Sequence, residues 1–106
     1  MKTYYISGKI SGIESEAKKT FAKAKDYLHN LGYGALNPFE NGLTADDTWE
    51  RHLAVDILDL LTCDGLIQLD GWEDSRGARL EYEIARLKGK EIRSIKDLGF
   101  YDYHHC

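Results

Sequence analysis

Two cysteines, Cys63 and Cys106, are all that the 106 residues contain. They are too few for a disulfide framework, which excludes the small stapled folds of secreted domains and leaves free thiols as the expectation. No stretch approaches the roughly 18 consecutive apolar residues of a membrane-spanning helix. Basic residues are short as well: 14 Lys and Arg against 18 Asp and Glu leave a formal net charge of −4. Binding a nucleic-acid polymer needs a basic stripe, and this chain has none. A single nucleotide makes a smaller demand, because a few donors and a helix N-terminus can hold it. The apolar segment within residues 1–7 is too short for a signal peptide, so the location expected is cytoplasmic.

What remains is a chain with 42% apolar and 30% charged residues. That composition suits one domain over residues 1–106 with its own core. Thr3, Tyr4, Tyr5, Ile6 and Ser7 read as a first strand, left through a Gly8 to Gly12 loop. Ala17, Phe21, Ala24, Leu28 and Leu31 then fall on one stripe of a helix over 14–31, opposite Lys18, Lys19, Lys23 and Lys25. Gly32 ends it, and residues 33–36 form a short strand closed by Asn37 and Pro38. After a loop over 39–45, Asp46, Asp47 or Thr48 caps a second helix running to about Thr62. Residues 65–69 make a strand apolar enough to be covered on both faces, 77–87 a third helix ending at Gly89, and 91–95 a fourth strand. This βαβαβαβ order predicts a parallel sheet with right-handed crossovers. Residues 96–106 carry an aromatic-rich pattern with no assignment.

The chemistry-bearing stretch follows the third strand, from Asp64 to Ala85. A short apolar run ends in a Gly-punctuated turn and a helix with carboxylates starts at once, the kind of junction where open α/β sheets bind ligands. On that helix Glu81 projects between Gly77 and Ala85 toward the apolar face, whereas Glu83 points about 160° away, toward solvent. On the second helix Trp49, Leu53, Asp56 and Leu60 project within about 60° of one another, with Ala54, Ile57 and Leu61 widening the apolar face. An acid at that edge is paired, protonated or exposed in a cleft. The plainer readings are a surface Glu81 bonded to Arg79, Arg86 or Lys88, and an Asp56 paired with a cation or solvated.

The Ser7-Gly8-Lys9-Ile10-Ser11-Gly12 loop is not a Walker loop, since Thr3 and Ile10 stand where a glycine and a Ser or Thr are needed. It is a Gly-Ser turn able to offer backbone N–H groups to an anion. Ser7, Gly8 and Lys9 likewise exclude a receiver-type phosphorylation domain, which wants acids there. His104, His105 and Cys106 are adjacent at a chain end, which fits a frayed tail better than a metal site.

Taken in order, Tyr5-Ile6-Ser7-Gly8-Lys9-Ile10-Ser11-Gly12, Asp56-Ile57, Cys63-Asp64, Gly71-Trp72-Glu73, Ser75, Gly77-Ala78, Glu81 and Ala85 resemble the nucleoside 2-deoxyribosyltransferase superfamily. The most similar branch is the small DUF4406 proteins, and the similarity runs over residues 3–95. The fold expected is a flavodoxin-like, Rossmann-like three-layer sandwich with a four- to five-stranded parallel sheet; the βαβ rhythm, with ligand-like residues gathered after the first and third strands, predicts the order 2-1-3-4. The resemblance implies an enzyme that cleaves or transfers the N-glycosidic bond of a nucleoside or nucleotide. Glu81 matches the family's nucleophile, Asp56 its acid on the preceding helix, and Tyr5 the aromatic whose hydroxyl orients the nucleophile. Ser7, Gly8, Lys9 and Ser11 of the first loop, with Trp72, Ser75 and Gly77 of the third junction, make up the substrate-binding set. Ser11 stands where the nucleotide hydrolases carry an arginine, so a nucleoside is expected to compete well with its monophosphate. No metal or organic cofactor is expected. The partners expected are a small-molecule nucleoside or nucleotide and further copies of the chain, with no nucleic-acid polymer and no membrane. A nucleotide-binding or sensing module without turnover is the alternative, and a structural domain with all carboxylates paired at the surface is a third reading.

Overall fold

The computed structural model describes residues 1–101. Four strands, β1 (Thr3–Ser7), β2 (Gly34–Leu36), β3 (Gly65–Gln68) and β4 (Glu91–Ser94), form one parallel sheet in the order β2-β1-β3-β4. Three helices connect them: α1 (Glu14–Asn30), α2 (Trp49–Thr62) and α3 (Arg76–Leu87). The expected order is thus present, with four strands among the described residues.

Side chains alternate across each strand and feed two cores. Tyr4, Ile6, Ile67 and Leu69 pack with Ala17, Phe21, Ala24 and Leu28 of α1. Tyr5 and Leu66 pack on the other face with Leu60 of α2 and Ala85 of α3. The sheet therefore lies between α1 on one side and α2 with α3 on the other, and all four strands end at the same edge.

Several expectations need correction. Leu31 follows α1 and is 45% exposed. In α2 only Leu60 is fully buried, while Trp49, Ala54, Leu58 and Leu61 are exposed, so the apolar face drawn from the sequence is wider than the surface actually covered. Of the three capping candidates it is Thr48 whose hydroxyl accepts the Arg51 N–H, at 3.1 Å. The start of the loop read over 39–45 is a 3₁₀ turn, Pro38–Glu40. The unassigned stretch begins in another such turn, Ile95–Leu98, with Ile95 buried in the α1-side core and Leu98 and Phe100 against it. Tyr27 fastens this segment by donating to the Leu98 carbonyl at 2.7 Å and setting its ring edge-on to Phe100. Tyr103, His104, His105 and Cys106 lie outside the described residues. Cys63 is a free, buried thiol whose ionisation burial pushes up to about 11, which makes it a packing residue.

Candidate active site

Parallel strands bring their carboxyl ends to one edge, and the polar cluster sits there on the α2–α3 face. Tyr5 and Ser7 are two residues apart on β1, so both point to that face. Ser75 caps α3 by accepting the Ala78 N–H at 3.1 Å, which aims the helix so that Glu81, in its second turn, looks down on β1. The Tyr5 hydroxyl donates to Glu81 Oε2 at 2.7 Å, and the Ser7 hydroxyl donates to Oε1 at 2.7 Å. Glu81 is 5% exposed. It is no surface glutamate, and its hydrogen bonds come from Tyr5 and Ser7 in place of Arg79, Arg86 or Lys88.

Burial without a cation pushes the Glu81 carboxyl up to about 7. The Ser7 and Tyr5 hydrogen bonds pull the other way and the Asp56 charge adds to the rise. The dipole of α3 favours an ionised Glu81, but its influence fades beyond the first turn, and desolvation wins. The Tyr5 hydroxyl is raised well above its usual value, by burial first and by the charges of Glu81 and Asp56 next, so it stays a proton donor.

Asp56 projects from α2 on the other side of Tyr5. Burial lifts it to about 6, opposed by a hydrogen bond from Asn41, by the His52 ring and by the Tyr5 hydroxyl. Its partner is thus an amide, in place of the cation or solvent considered from the sequence. Asn41 Nδ2 donates to Asp56 Oδ1 at 3.0 Å and lies 3.3 Å from His52 Nδ1, while Asn41 Oδ1 accepts the Leu43 N–H at 2.9 Å. His52 Nε2 lies 2.8 Å from the Thr44 carbonyl, an acceptor only, so Nε2 carries the proton and Nδ1 is free to accept from Asn41. Every polar atom of the Asn41 side chain is engaged, which fixes its orientation and that of Asp56. Sequence reading missed Asn41 and His52. Asn41 lies in an aperiodic loop, and His52 could be found only by its placement one turn before Asp56 on α2.

The remaining candidates divide. Gly77 is partly buried, and a side chain there would meet nothing closer than Ser75 Oγ at 3.9 Å, so that position on α3 is open, whereas Ala85, the other small neighbour of Glu81, is fully buried in the core. Ser75 is held as the helix cap, and Ser7 is buried with its hydroxyl on Glu81; each is engaged by the protein rather than presented to a ligand. Trp72 is half-buried and packs at a tilt on Tyr82, ring centroids 5.1 Å apart. Gly8 is required by packing, because a Cβ would stand 3.0 Å from Leu69 Cβ and 3.2 Å from the Phe21 ring. Lys9 is half-exposed and Ser11 exposed, on the first loop and apart from the Glu81 hydrogen bonds. Glu83 is exposed and pairs with Arg86 at 2.8 Å, as its helix direction predicts. Among the described residues no three His, Cys, Asp or Glu side chains are grouped to hold a metal ion, and no helix is long and apolar enough to cross a membrane.

The arrangement is two desolvated acids on either side of a phenol, able to share protons near neutrality. One is anchored by two hydroxyl donors with carboxylate lone pairs left over for a third contact. Comparison with known proteins bears on the fold and the family. The family model described as "Domain of unknown function (DUF4406)" matches residues 1–94. A solved structure, a 2-desoxiribosyltransferase from Leishmania mexicana, superposes with a TM-score of 0.68 at 20% identity, over 89% of this chain and 63% of that one. The chain thus spans less than two thirds of that protein and shares its fold. No curated protein sequence matches the chain.

Proposed function

Because the chain belongs to the DUF4406 family and buries Glu81 between two hydroxyl donors, we propose that it cleaves or transfers the N-glycosidic bond of a 2-deoxynucleoside or its nucleotide. The observation that carries this reading is the Glu81 carboxyl, gripped by Tyr5 and Ser7 at the carboxyl edge of a parallel sheet with Asp56 across the phenol. A Glu81 oxygen attacks C1′ as the bond from C1′ to the base nitrogen breaks. The electron pair leaves with the base, and Asp56 supplies the proton that the base takes up. The transition state is oxocarbenium-like, and an anionic Glu81 stabilises its positive charge, more readily because a 2-deoxy sugar lacks the electron-withdrawing hydroxyl. The glycosyl ester is then opened by water, or by a second base in the reverse of the first step, with Asp56 taking the proton back. Tyr5 positions Glu81 and stabilises its charge as the ester leaves.

In this reading the Trp72 ring offers an apolar face for the base, and Lys9 is the cation of the first loop for a 5′-phosphate. The exposed Leu58, Leu61 and Leu87 on the α2–α3 side favour a dimer or larger assembly, since that apolar surface is otherwise left to water. A binding or sensing module without turnover is the second reading, favoured by a Glu81 that is half protonated at neutral pH and then a donor instead of a nucleophile. Incubation with a panel of deoxynucleosides and their monophosphates, followed by chromatography for free base, separates the two. Base release that disappears in Glu81→Gln supports the enzyme; tight binding with no base released supports the module.

A further inference from the structure

Gln68 ends β3, is 7% exposed, and carries the one buried side-chain nitrogen or oxygen among the described residues that has no hydrogen-bond partner, its Nε2. Leaving such a donor unanswered weakens an equilibrium about five- to a hundredfold, so a native protein keeps one at a strand end for a reason. Its surroundings supply that reason. Gln68 is in register with Ser7 on one side and Ser94 on the other, and neighbours in parallel register point the same way. The amide therefore lies on the Glu81 face of the sheet, one strand spacing, about 4.8 Å, from the serine that holds the nucleophile. α2 lies against β1, and α3 against β3 and β4. Asp56 and Gln68 consequently flank the Tyr5–Glu81 hydrogen bond from opposite sides.

We propose that the Gln68 amide reads a hydroxyl of the deoxyribose. This rests on the reading above: with the base leaving on the Asp56 side of Glu81, the sugar lies on the Gln68 side. A neutral N–H donor fits a hydroxyl oxygen, and the cation near this strand end, Lys96, is already paired with Asp70 at 3.0 Å, so a charged group finds less here than a neutral one. The ligand supplies the acceptor that the protein withholds, and a sugar lacking that hydroxyl leaves the donor unanswered in the complex.

The test compares a 2′-deoxynucleoside with its 2′,3′-dideoxy and 2′,5′-dideoxy analogues, in the wild type and in Gln68→Met, with Gln68→Leu as a second variant of smaller volume. In the wild type one analogue loses about ten- to a hundredfold in kcat/KM, which identifies the hydroxyl. In Gln68→Met the parent substrate falls by a similar factor and that analogue falls no further. The free variant melts higher than the wild type, because an unanswered buried donor is gone. Undiminished discrimination in both variants, or a lower melting temperature in both, overturns the role of Gln68 while base release by the wild type leaves the reaction standing. A wild type that neither releases base from any of the three nor binds one in calorimetric titration overturns the reaction and the Gln68 contact together.

Discussion

Tyr5 and Glu81 are 76 residues apart in the chain, and the phenol donates to the carboxyl across 2.7 Å. Both side chains are buried, and both titrate upward because of it. A neutral phenol facing an acid whose proton is half lost at neutral pH makes the site responsive to pH in both stability and rate.

Replacing Glu81 by Gln keeps the shape and removes the nucleophile, so base release falls at least about a thousandfold, the scale of losing a catalytic group. Glu83→Gln stays near the wild-type rate, since that side chain is exposed and bonded only to Arg86. Initial rates of both variants on one substrate check the pair. Equal losses would move the nucleophile away from Glu81.

Stability carries a second signature. The ordinary glutamate value is 4.5 and the folded value of Glu81 is about 7. Between them the folded protein holds a proton that the unfolded chain has released, so stability falls as pH rises through that window. Asp56 acts in the same direction between 3.8 and about 6. The penalty from Glu81 is on the order of 3 kcal/mol at pH 8 and absent below pH about 4.5. Glu81→Gln is expected to melt several degrees higher than the wild type at pH 8. It should lose that advantage at pH 4.5. Thermal denaturation at the two pH values reads it directly.

The pH–rate profile distinguishes the residues that hold the acids. Activity needs an ionised Glu81 and a protonated Asp56, so kcat/KM is bell-shaped with its maximum between about pH 6 and 7. Because the Asp56 value lies below that of Glu81, Asp56 sets the acidic limb and Glu81 the alkaline one; Tyr5→Phe removes a hydroxyl that favours both anions, which shifts both limbs upward and cuts kcat about ten- to a hundredfold. Asn41→Ala removes the bond that favours the Asp56 anion and moves the acidic limb upward while the alkaline limb stays in place. Limbs that stay in place in both variants would mean that these groups do not set the titration.

A nucleoside should bind about as well as its monophosphate. The Ser75 hydroxyl is held as a helix cap, the Ser7 hydroxyl is held on Glu81, and exposed Ser11 offers no bidentate cation. Calorimetric titration of Glu81→Gln with each ligand measures the ratio, and a monophosphate bound a hundredfold tighter would reverse the expectation.

The periodicity of apolar residues, punctuated by glycines, made the four strands and the three α-helices legible, with ends displaced by a residue or two, because periodicity reports which face of an element meets the core. It could not report how much of α2 is covered. Leu61 belongs to the apolar pattern yet is exposed, since the layer outside α2 is open. The direction of Glu81 was legible from helix geometry. Its ionisation was not, because the desolvation that decides it comes from strands far away in sequence. Asn41 and Gln68 were silent for a related reason: one is in a loop and the other reads as a polar residue in an apolar strand, and only their partners, or the lack of one, mark them.

The Ser7–Glu81 and Tyr5–Glu81 hydrogen bonds join β1 to α3, over 74 and 76 residues. Contacts of that span close late, after the loop entropy between them has been overcome by the rest of the sheet. Glu81 therefore loses its water near the end of folding, and the cost of doing so falls after the main barrier. At pH 8, Glu81→Gln should slow unfolding while leaving the refolding rate almost unchanged in stopped-flow chevrons. The acid proposed as the nucleophile is then also what shortens the lifetime of the native state.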